Sequence, residues 1–156
     1  MLIEHILHNK GREVATIPAD APVADAVAGL RERNVGALVV TAPAGQAGQG
    51  DDEAGGGLVG ILSERDVVRA LAGSDAGTVL GGPVSALMST EVTTCEPRAT
   101  VDDLMRLMTD RRIRHIPVVD GGRLAGIVSI GDVVKSRIDE LETETETLHE
   151  YLSSGR

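Results

Sequence analysis

The 156-residue sequence lacks the large side chains that usually fill a protein core. It contains no Phe, no Trp and a single tyrosine, Tyr151. Aliphatic side chains of Val, Ile, Leu and Ala must therefore supply the packing. A chain of this length can bury about 70% of its unfolded surface as one body, whereas a segment of about 60 residues would be marginal at about 60%.

Cysteine and long apolar runs are also scarce. Cys95 is the only cysteine, so an intramolecular disulfide is excluded, which fits a reducing compartment. Residues 1–12 include Glu4, His8 and Lys10, which interrupt the apolar run that a signal peptide needs. No segment approaches the roughly 20 apolar residues of a membrane span. The sequence predicts a soluble, cytoplasmic protein.

Basic residues are fewer than acidic ones, which gives a formal net charge of −9. Acidic residues concentrate at 51–53 and along the C-terminal segment 139–150. Such a surface repels nucleic-acid phosphates and anionic membranes, so neither is a predicted partner. A phosphate-bearing ligand would have to be held by local donors against the overall field.

The sequence does contain an internal duplication. Segments 60–68 and 126–134 share Gly, Ile, Ser, Asp, Val and Val in register, and segments 14–41 and 92–119 align without a gap. The two spacings differ by 12 residues, which places an insertion at 42–56 in the first copy. This Gly- and Ala-rich insertion is predicted to be a flexible loop without ligand chemistry. Because one copy alone would be marginal, we expect the two copies to share one core.

Each copy has the same predicted order of strand, helix, strand, strand and helix. The segments are 14–18, 22–35, 37–40, 58–62 and 63–71 in the first copy, and 92–95, 101–108, 116–119, 124–128 and a helix from 129 in the second. Asp120-Gly121-Gly122-Arg123 predicts a tight hairpin.

The C-terminal segment predicts a long amphipathic helix. Its apolar residues recur at alternating spacings of four and three, interrupted by Thr145; they are Val134, Ile138, Leu141, Leu148 and Leu152. Two interpretations are open: a helix lying across its own domain, or a dimer contact.

The polar residues of the duplication allow two interpretations. Ser63 and Asp66, and likewise Ser129 and Asp132, stand where a strand is followed by a helix. Ser-x-x-Asp at a helix start is a capping-box pattern, which would be purely structural. A helix N-terminus with a hydroxyl also suits a phosphate, and a nearby carboxylate suits the hydroxyls of a ribose.

The two copies of Gly-Ile-x-Ser-x-x-Asp at 60–66 and 126–132, here called the signature motifs, together with Arg-His-Ile-Pro-Val-Val at 114–119, carry a family resemblance. Over about residues 8–137 the chain resembles a tandem pair of CBS domains, a Bateman module. The resemblance implies an α/β fold of two βαββα repeats related by pseudo-twofold symmetry, with a C-terminal helical extension. The implied segments are an N-terminal segment 1–12, repeat one 13–73, repeat two 84–137 and an acidic helical tail 138–156.

The resemblance also implies a regulatory protein that binds an adenine nucleotide: AMP, ADP or ATP first, with NAD(H) or S-adenosylmethionine as further candidates. It implies a homodimer acting on an effector protein, and no metal. Asp66 and Asp132 would hold the ribose hydroxyls, and Ser63 and Ser129 the phosphate or ribose. The implied neighbours of the adenine are Thr16, Ile17, Pro18, Ala37, Leu38, Thr94, Cys95, His115, Ile116 and Pro117.

Three basic residues remain open in role. Arg114 is either a phosphate ligand or a surface arginine, and Lys10 either reaches a phosphate or is solvated. Arg65 stands where the second copy has Gly131, so the two sites are not expected to bind alike.

Catalytic patterns do not fit this sequence. Gly-x-Ser-x-Gly around Ser129 would require Gly where Ile127 stands, and neither HExxH nor a Cys/His cluster occurs. A non-enzymatic regulatory module is the expectation. The alternative is a ligand-free interaction module in which the Ser-x-x-Asp pairs are only helix caps.

Overall fold

The computed structural model describes residues 1–43 and 57–155. Residues 44–56 of the predicted insertion loop lie outside that range. The elements in chain order are α1 (Ile3–Lys10), β1 (Thr16–Pro18), α2 (Val23–Arg33), β2 (Ala37–Thr41), β3 (Leu58–Ser63), α3 (Glu64–Gly73), α4 (Ala76–Gly81), a 3₁₀ turn (Val84–Ala86), α5 (Val101–Arg111), β4 (His115–Asp120), β5 (Arg123–Ser129) and α6 (Ile130–Ser154).

The first repeat has the predicted order of strand, helix, strand, strand and helix. β1 pairs parallel with β2, with Thr16 opposite Val39, and β2 pairs antiparallel with β3, with Ala37 opposite Ser63. All residues of β2 except Thr41 are buried, as the continuous apolar run predicted. This repeat is therefore a three-stranded sheet flanked by helices.

The second repeat departs from the prediction at its first strand. The expected strand 92–95 is reduced to a single parallel bridge between Cys95 and Val118. The segment that follows bonds to α1 instead, because the Ile3 and Glu4 amides donate to the carbonyls of Ala99 and Pro97, both at 2.9 Å. These contacts hold the chain after Cys95 against the first helix, so it does not extend along β4.

The tight hairpin predicted at residues 120–123 joins β4 and β5, which form a two-stranded sheet. Gly121 and Gly122 have φ values of 58° and 84°, the left-handed pair that a two-residue hairpin turn requires. Left-handed residues also end α2 and α5, at Asn34 and Arg112 with φ of 52° and 53°. The first of these helices was expected to end at Gly36, and it ends earlier because Asn tolerates this conformation.

The expectation of one shared core is wrong. Contacts divide the chain into two compact units, one of residues 1–12, 94–120 and 125–156 and the other of residues 13–93 and 121–124. Each has its own cluster of buried aliphatic residues. The marginal size of one repeat is offset by added segments: Ile3 and Leu7 of α1 join the second cluster, and Val79 and Val84 join the first.

The C-terminal segment is helical as predicted, because α6 runs for 25 residues to Ser154. Its buried face carries Val133 and Ser136, and it packs on α5. The apolar residues of the opposite face are exposed, each by between 46% and 70%: Val134, Ile138, Leu141, Leu148 and Leu152. The helix therefore packs on its own unit through Val133 and Ser136, while its recurring apolar residues take no part in that packing. Among the described residues, no helix is both long and apolar enough to cross a bilayer.

Candidate functional site

Both signature motifs sit at a junction where a buried strand is followed by a helix. At the start of α3, the Asp66 amide donates to Ser63 Oγ at 3.3 Å and the Ser63 amide donates to Asp66 Oδ2 at 2.9 Å. Ser129 and Asp132 at the start of α6 make the same two bonds, at the same distances. The capping boxes predicted from Ser-x-x-Asp are thus confirmed in both repeats.

A second backbone contact places these junctions against the neighbouring strand. The Glu64 amide donates to the carbonyl of Gly36 at 3.0 Å, and the Ile130 amide donates to the carbonyl of Arg114 at 2.8 Å. Gly36 and Arg114 are equivalent in the duplication, and each precedes a buried strand. In each repeat the helix start is therefore tied to the strand expected to border the adenine.

Capping uses only part of each carboxylate. Within the described residues, every hydrogen bond that the carboxylates of Asp66 and Asp132 accept goes to Oδ2. Oδ1 of each carboxylate therefore keeps its acceptor capacity, since an ionised carboxylate has about four lone-pair positions. A structural cap and a ligand contact are compatible at the same residue.

Lys10 distinguishes the second repeat from the first. Its Nζ lies 2.6 Å from Asp132 Oδ2 and donates to the Ile127 carbonyl at 2.9 Å. The side chains of Lys10 and Asp132 are 31% and 23% exposed, so water only partly screens the pair. In the first repeat Asp66 Oδ2 instead accepts a 3.0 Å bond from Ser63 Oγ.

Neither interpretation of Lys10 from the sequence, a phosphate contact or a solvated lysine, included this ion pair. Lys10 and Asp132 are 122 residues apart, so no local pattern signals the contact.

The pKa of Asp132 is lowered by the balance of three influences. Burial alone would raise the pKa, but hydrogen bonds from Lys10 and Ser129 and the charge of Lys10 together outweigh it. The carboxylate is therefore ionised at neutral pH and available as an acceptor.

We expect Lys10→Met to destabilise the protein in a pH-dependent way. Since the folded state holds the pKa of Asp132 below its ordinary 3.8, the stabilisation is present above that value and is lost as pH falls through the folded pKa. The loss in Lys10→Met should be about 1 kcal/mol at pH 6, because partial exposure screens the pair, and should shrink below pH 3.8. Urea unfolding at several pH values measures it. Arg69→Met removes one exposed positive charge as a control, and an equal loss at pH 3 and pH 6 would contradict the assignment.

The other predicted residues divide by burial. Ile17, Ala37, Leu38, Ile116 and Pro117 are buried in or beside the strands, so they offer backbone groups and little side-chain surface. Thr16, Pro18, Arg65, Thr94 and Arg114 are exposed. Ser63 and Ala37 are brought opposite each other in the sheet.

Two half-buried residues complete the set. His115 begins β4, beside the carbonyl of Arg114 that binds the start of α6. Burial raises the pKa of Cys95 to about 11, so the thiol is neutral at physiological pH. A neutral thiol can line an apolar pocket but is a poor nucleophile. No group of three or more His, Cys, Asp or Glu side chains in the described ranges is placed to hold a metal ion.

The signature glycines have a packing role that the sequence did not reveal. A Cβ on Gly60 would lie 2.8 Å from the carbonyl oxygen of Ser89, and one on Gly126 would lie 2.6 Å from Leu7 Cδ2. The absence of a side chain at each glycine therefore lets another segment pack directly against the strand. That segment is the chain around Ser89 at Gly60, and α1 at Gly126.

Comparison with known proteins gives the same account of the fold. The CBS domain family model matches residues 10–73 and 84–139. The chain is 35% identical over 160 residues to the mitochondrial CBS domain-containing protein CBSX3 of Arabidopsis thaliana, covering 98% of this chain and 72% of the relative.

Solved structures agree. The CBS-domain containing protein ATU1752 of Agrobacterium tumefaciens is 41% identical and superposes with a TM-score of 0.77, over 87% of this chain and 92% of its own. The CBS domain protein PAE2072 of Pyrobaculum aerophilum, solved in complex with AMP, is 26% identical with a TM-score of 0.72, over 93% and 99% of the two chains. With two family matches on two duplicated units, the chain belongs to the CBS domain family, as a tandem pair of CBS repeats.

Proposed function

We propose that this protein is a regulatory, non-catalytic module that binds an adenine nucleotide at its signature motifs. AMP, ADP and ATP are the first candidates, and NAD(H) and S-adenosylmethionine follow. The observation that carries the proposal is the arrangement of Asp66 and Asp132: each is fixed by a cap through Oδ2 and keeps Oδ1 for a ligand. The AMP complex of the Pyrobaculum aerophilum relative supports the ligand class.

The chemistry of the site fits a nucleoside. Two adjacent ribose hydroxyls are donors, and an ionised carboxylate held by a rigid cap is a strong acceptor for them. The starts of α3 and α6 supply the positive end of a helix dipole for a phosphate, in a chain whose net charge of −9 would otherwise repel it. Backbone groups of the buried strands β2 and β4 would read the edge of the base.

The two sites are proposed to differ in preference. Of the two carboxylates only Asp132 is paired with a lysine, so its negative charge is balanced and repels a phosphate-bearing ligand less than that of Asp66. The first site has Arg65 in the first turn of α3. Ligand would act by binding two conformations of the pair with different affinity.

The biological setting is part of the proposal. We infer that the module is cytoplasmic, acts as a homodimer and transmits ligand binding to an effector protein. The rival function is a ligand-free interaction module, which the confirmed capping boxes alone would equally permit.

Calorimetric titration distinguishes the two functions. The ligands are AMP, ADP, ATP, NAD and S-adenosylmethionine, and the proteins are wild type, Asp66→Asn, Asp132→Asn and the double variant. Asn keeps an oxygen for the cap but loses the charge, so each variant should weaken its own site by about 10- to 100-fold through loss of a charge-assisted hydrogen bond. Asp75→Asn is the matched control, because Asp75 caps α4 outside the signature motifs. Absence of binding for all five ligands would overturn the nucleotide-binding function and leave the interaction module.

A further inference from the structure

The outward face of α6 is an apolar stripe with no partner in the described part of the chain. Val133 and Ser136 on the inner face are buried. We define the α6 seam as the outward residues Gly131, Val134, Ile138, Leu141, Thr145 and Leu148. They recur at alternating spacings of three and four, which is the a and d pattern of a coiled coil. The family model ends at residue 139, so half of this seam lies beyond it.

Charges beside the seam change sign along the helix. Lys135 and Arg137 flank its N-terminal part, and Glu142 and Glu144 flank the following turns. In heptad terms Lys135 and Glu142 are e positions, and Arg137 and Glu144 are g positions. In an antiparallel pair e faces e and g faces g, so one register puts every basic residue opposite an acidic one.

We propose that α6 pairs antiparallel with α6 of a second copy, centred between residues 139 and 140. In this register Lys135 of each copy faces Glu142 of the other, and Arg137 faces Glu144. Arg137 Nη1 already contacts Glu140 of its own helix at 3.1 Å, so Lys135 and Glu142 make the clearer pair. The inference builds on the homodimer of the proposed function and is independent of its nucleotide.

The register also fills a groove on α6. Ile130, Gly131, Val134, Lys135 and Ile138 line a shallow, largely apolar groove of about 370 Å³. The antiparallel register places Leu148 of the second copy opposite Gly131, where the missing side chain leaves room for it. The first repeat has Arg65 at the equivalent position, so this Gly is specific to the helix that carries the seam.

Thr145, the residue that interrupts the apolar pattern, is compatible with the same contact. Its Oγ1 donates to the Leu141 carbonyl at 2.8 Å, so the hydroxyl is satisfied within the helix. Its methyl group can then face Val134 of the second copy without burying an unpaired polar atom.

A parallel pair fits the charges and the groove less well. It would keep Arg137 near Glu142, but the e position of Lys135 would face Ile130, which offers no acidic group. Leu148 would meet Leu148, and the groove beside Gly131 would stay empty. The observations therefore favour the antiparallel arrangement.

Cysteine cross-linking between differently tagged chains tests the orientation. Gly131→Cys and Leu148→Cys chains are mixed and oxidised without nucleotide. Antiparallel pairing predicts a disulfide between the two kinds of chain and none between two Leu148→Cys chains, whose positions would be about 25 Å apart at 1.5 Å per residue. The wild-type chain, which keeps Cys95, is the control for unrelated cross-links. A Leu148→Cys homodimer would establish the parallel pair and overturn the proposal.

Sedimentation equilibrium measures the contribution of the seam. Leu148→Glu should raise the dimer Kd by at least about tenfold, because it places a charge where the second copy's Gly131 and the apolar groove would bury it. Thr147→Glu adds the same charge one residue away, outside the seam, and should leave the Kd within about threefold. Lys135→Glu should weaken the dimer, and adding Glu142→Lys to it should restore affinity, since the pair is exchanged. A wild type that stays monomeric at about 100 μM, where a dimer of micromolar Kd would form, would overturn the inference. Nucleotide binding is judged separately, by the calorimetric titration.

Discussion

Gly60→Ala is expected to destabilise the first unit by about 2–3 kcal/mol, as overpacking of a closed contact does. The added Cβ would stand 2.7 Å from Met88 Sδ and 2.8 Å from the Ser89 carbonyl oxygen. The thioether can move aside, but the carbonyl cannot, because Ser89 is bonded to Ile61 through both backbone groups, at 2.9 and 3.0 Å. Either the bridge breaks or β3 shifts. Urea-induced unfolding followed by circular dichroism measures the change.

Two further glycines make this prediction specific. Gly126→Ala meets only the end of the Leu7 side chain, at 2.6 Å, so the loss should be about 1 kcal/mol. Gly73→Ala, with no neighbour within 4 Å at the end of α3, should be neutral or stabilise by up to about 1 kcal/mol through helix propensity. Equal effects at Gly60 and Gly73 would show that the Ser89 contact is not the reason for the glycine.

Asp132→Ala is expected to cost more stability than Asp66→Ala, although both remove a capping box. Loss of the box should cost each variant about 0.5–2 kcal/mol. Asp132→Ala also leaves the ammonium of Lys10 without its carboxylate beside the start of α6, where the helix dipole disfavours a cation. The extra loss should be about 1 kcal/mol after allowance for solvent screening.

The measurement is again urea unfolding, at pH 7 and in low and high salt. The difference between the two variants should narrow in high salt, because it comes from the ion pair. Lys10→Met combined with Asp132→Ala should cost little more than Asp132→Ala alone, as expected when two residues act through one contact. Asp139→Ala, an exposed change on the same helix, is the control. Full additivity of Lys10→Met and Asp132→Ala would show that the pair contributes nothing.

Much of the local structure followed from residue patterns. The order of elements in the first repeat, the capping boxes and the hairpin at Gly121 and Gly122 depend on neighbours within a few residues. The strand expected at 92–95 is reduced to the single bridge at Cys95, although its apolar pattern matches that of β1. Its continuation bonds to Ile3 and Glu4, nearly a hundred residues earlier in the chain, and a local pattern carries no information about such a contact.

The sequence by itself determined that two similar strand–helix units exist, that each begins a helix with Ser-x-x-Asp, and that α6 is amphipathic. Only the tertiary structure decided which segment covers which core, that Lys10 rather than solvent meets Asp132, and that the α6 seam faces outward. The physical reason is the range of the interactions. Caps and turns are satisfied within one turn of chain, whereas the partners of Asp132, Gly60 and Gly126 are brought there by packing of distant segments, whose identity depends on the whole fold.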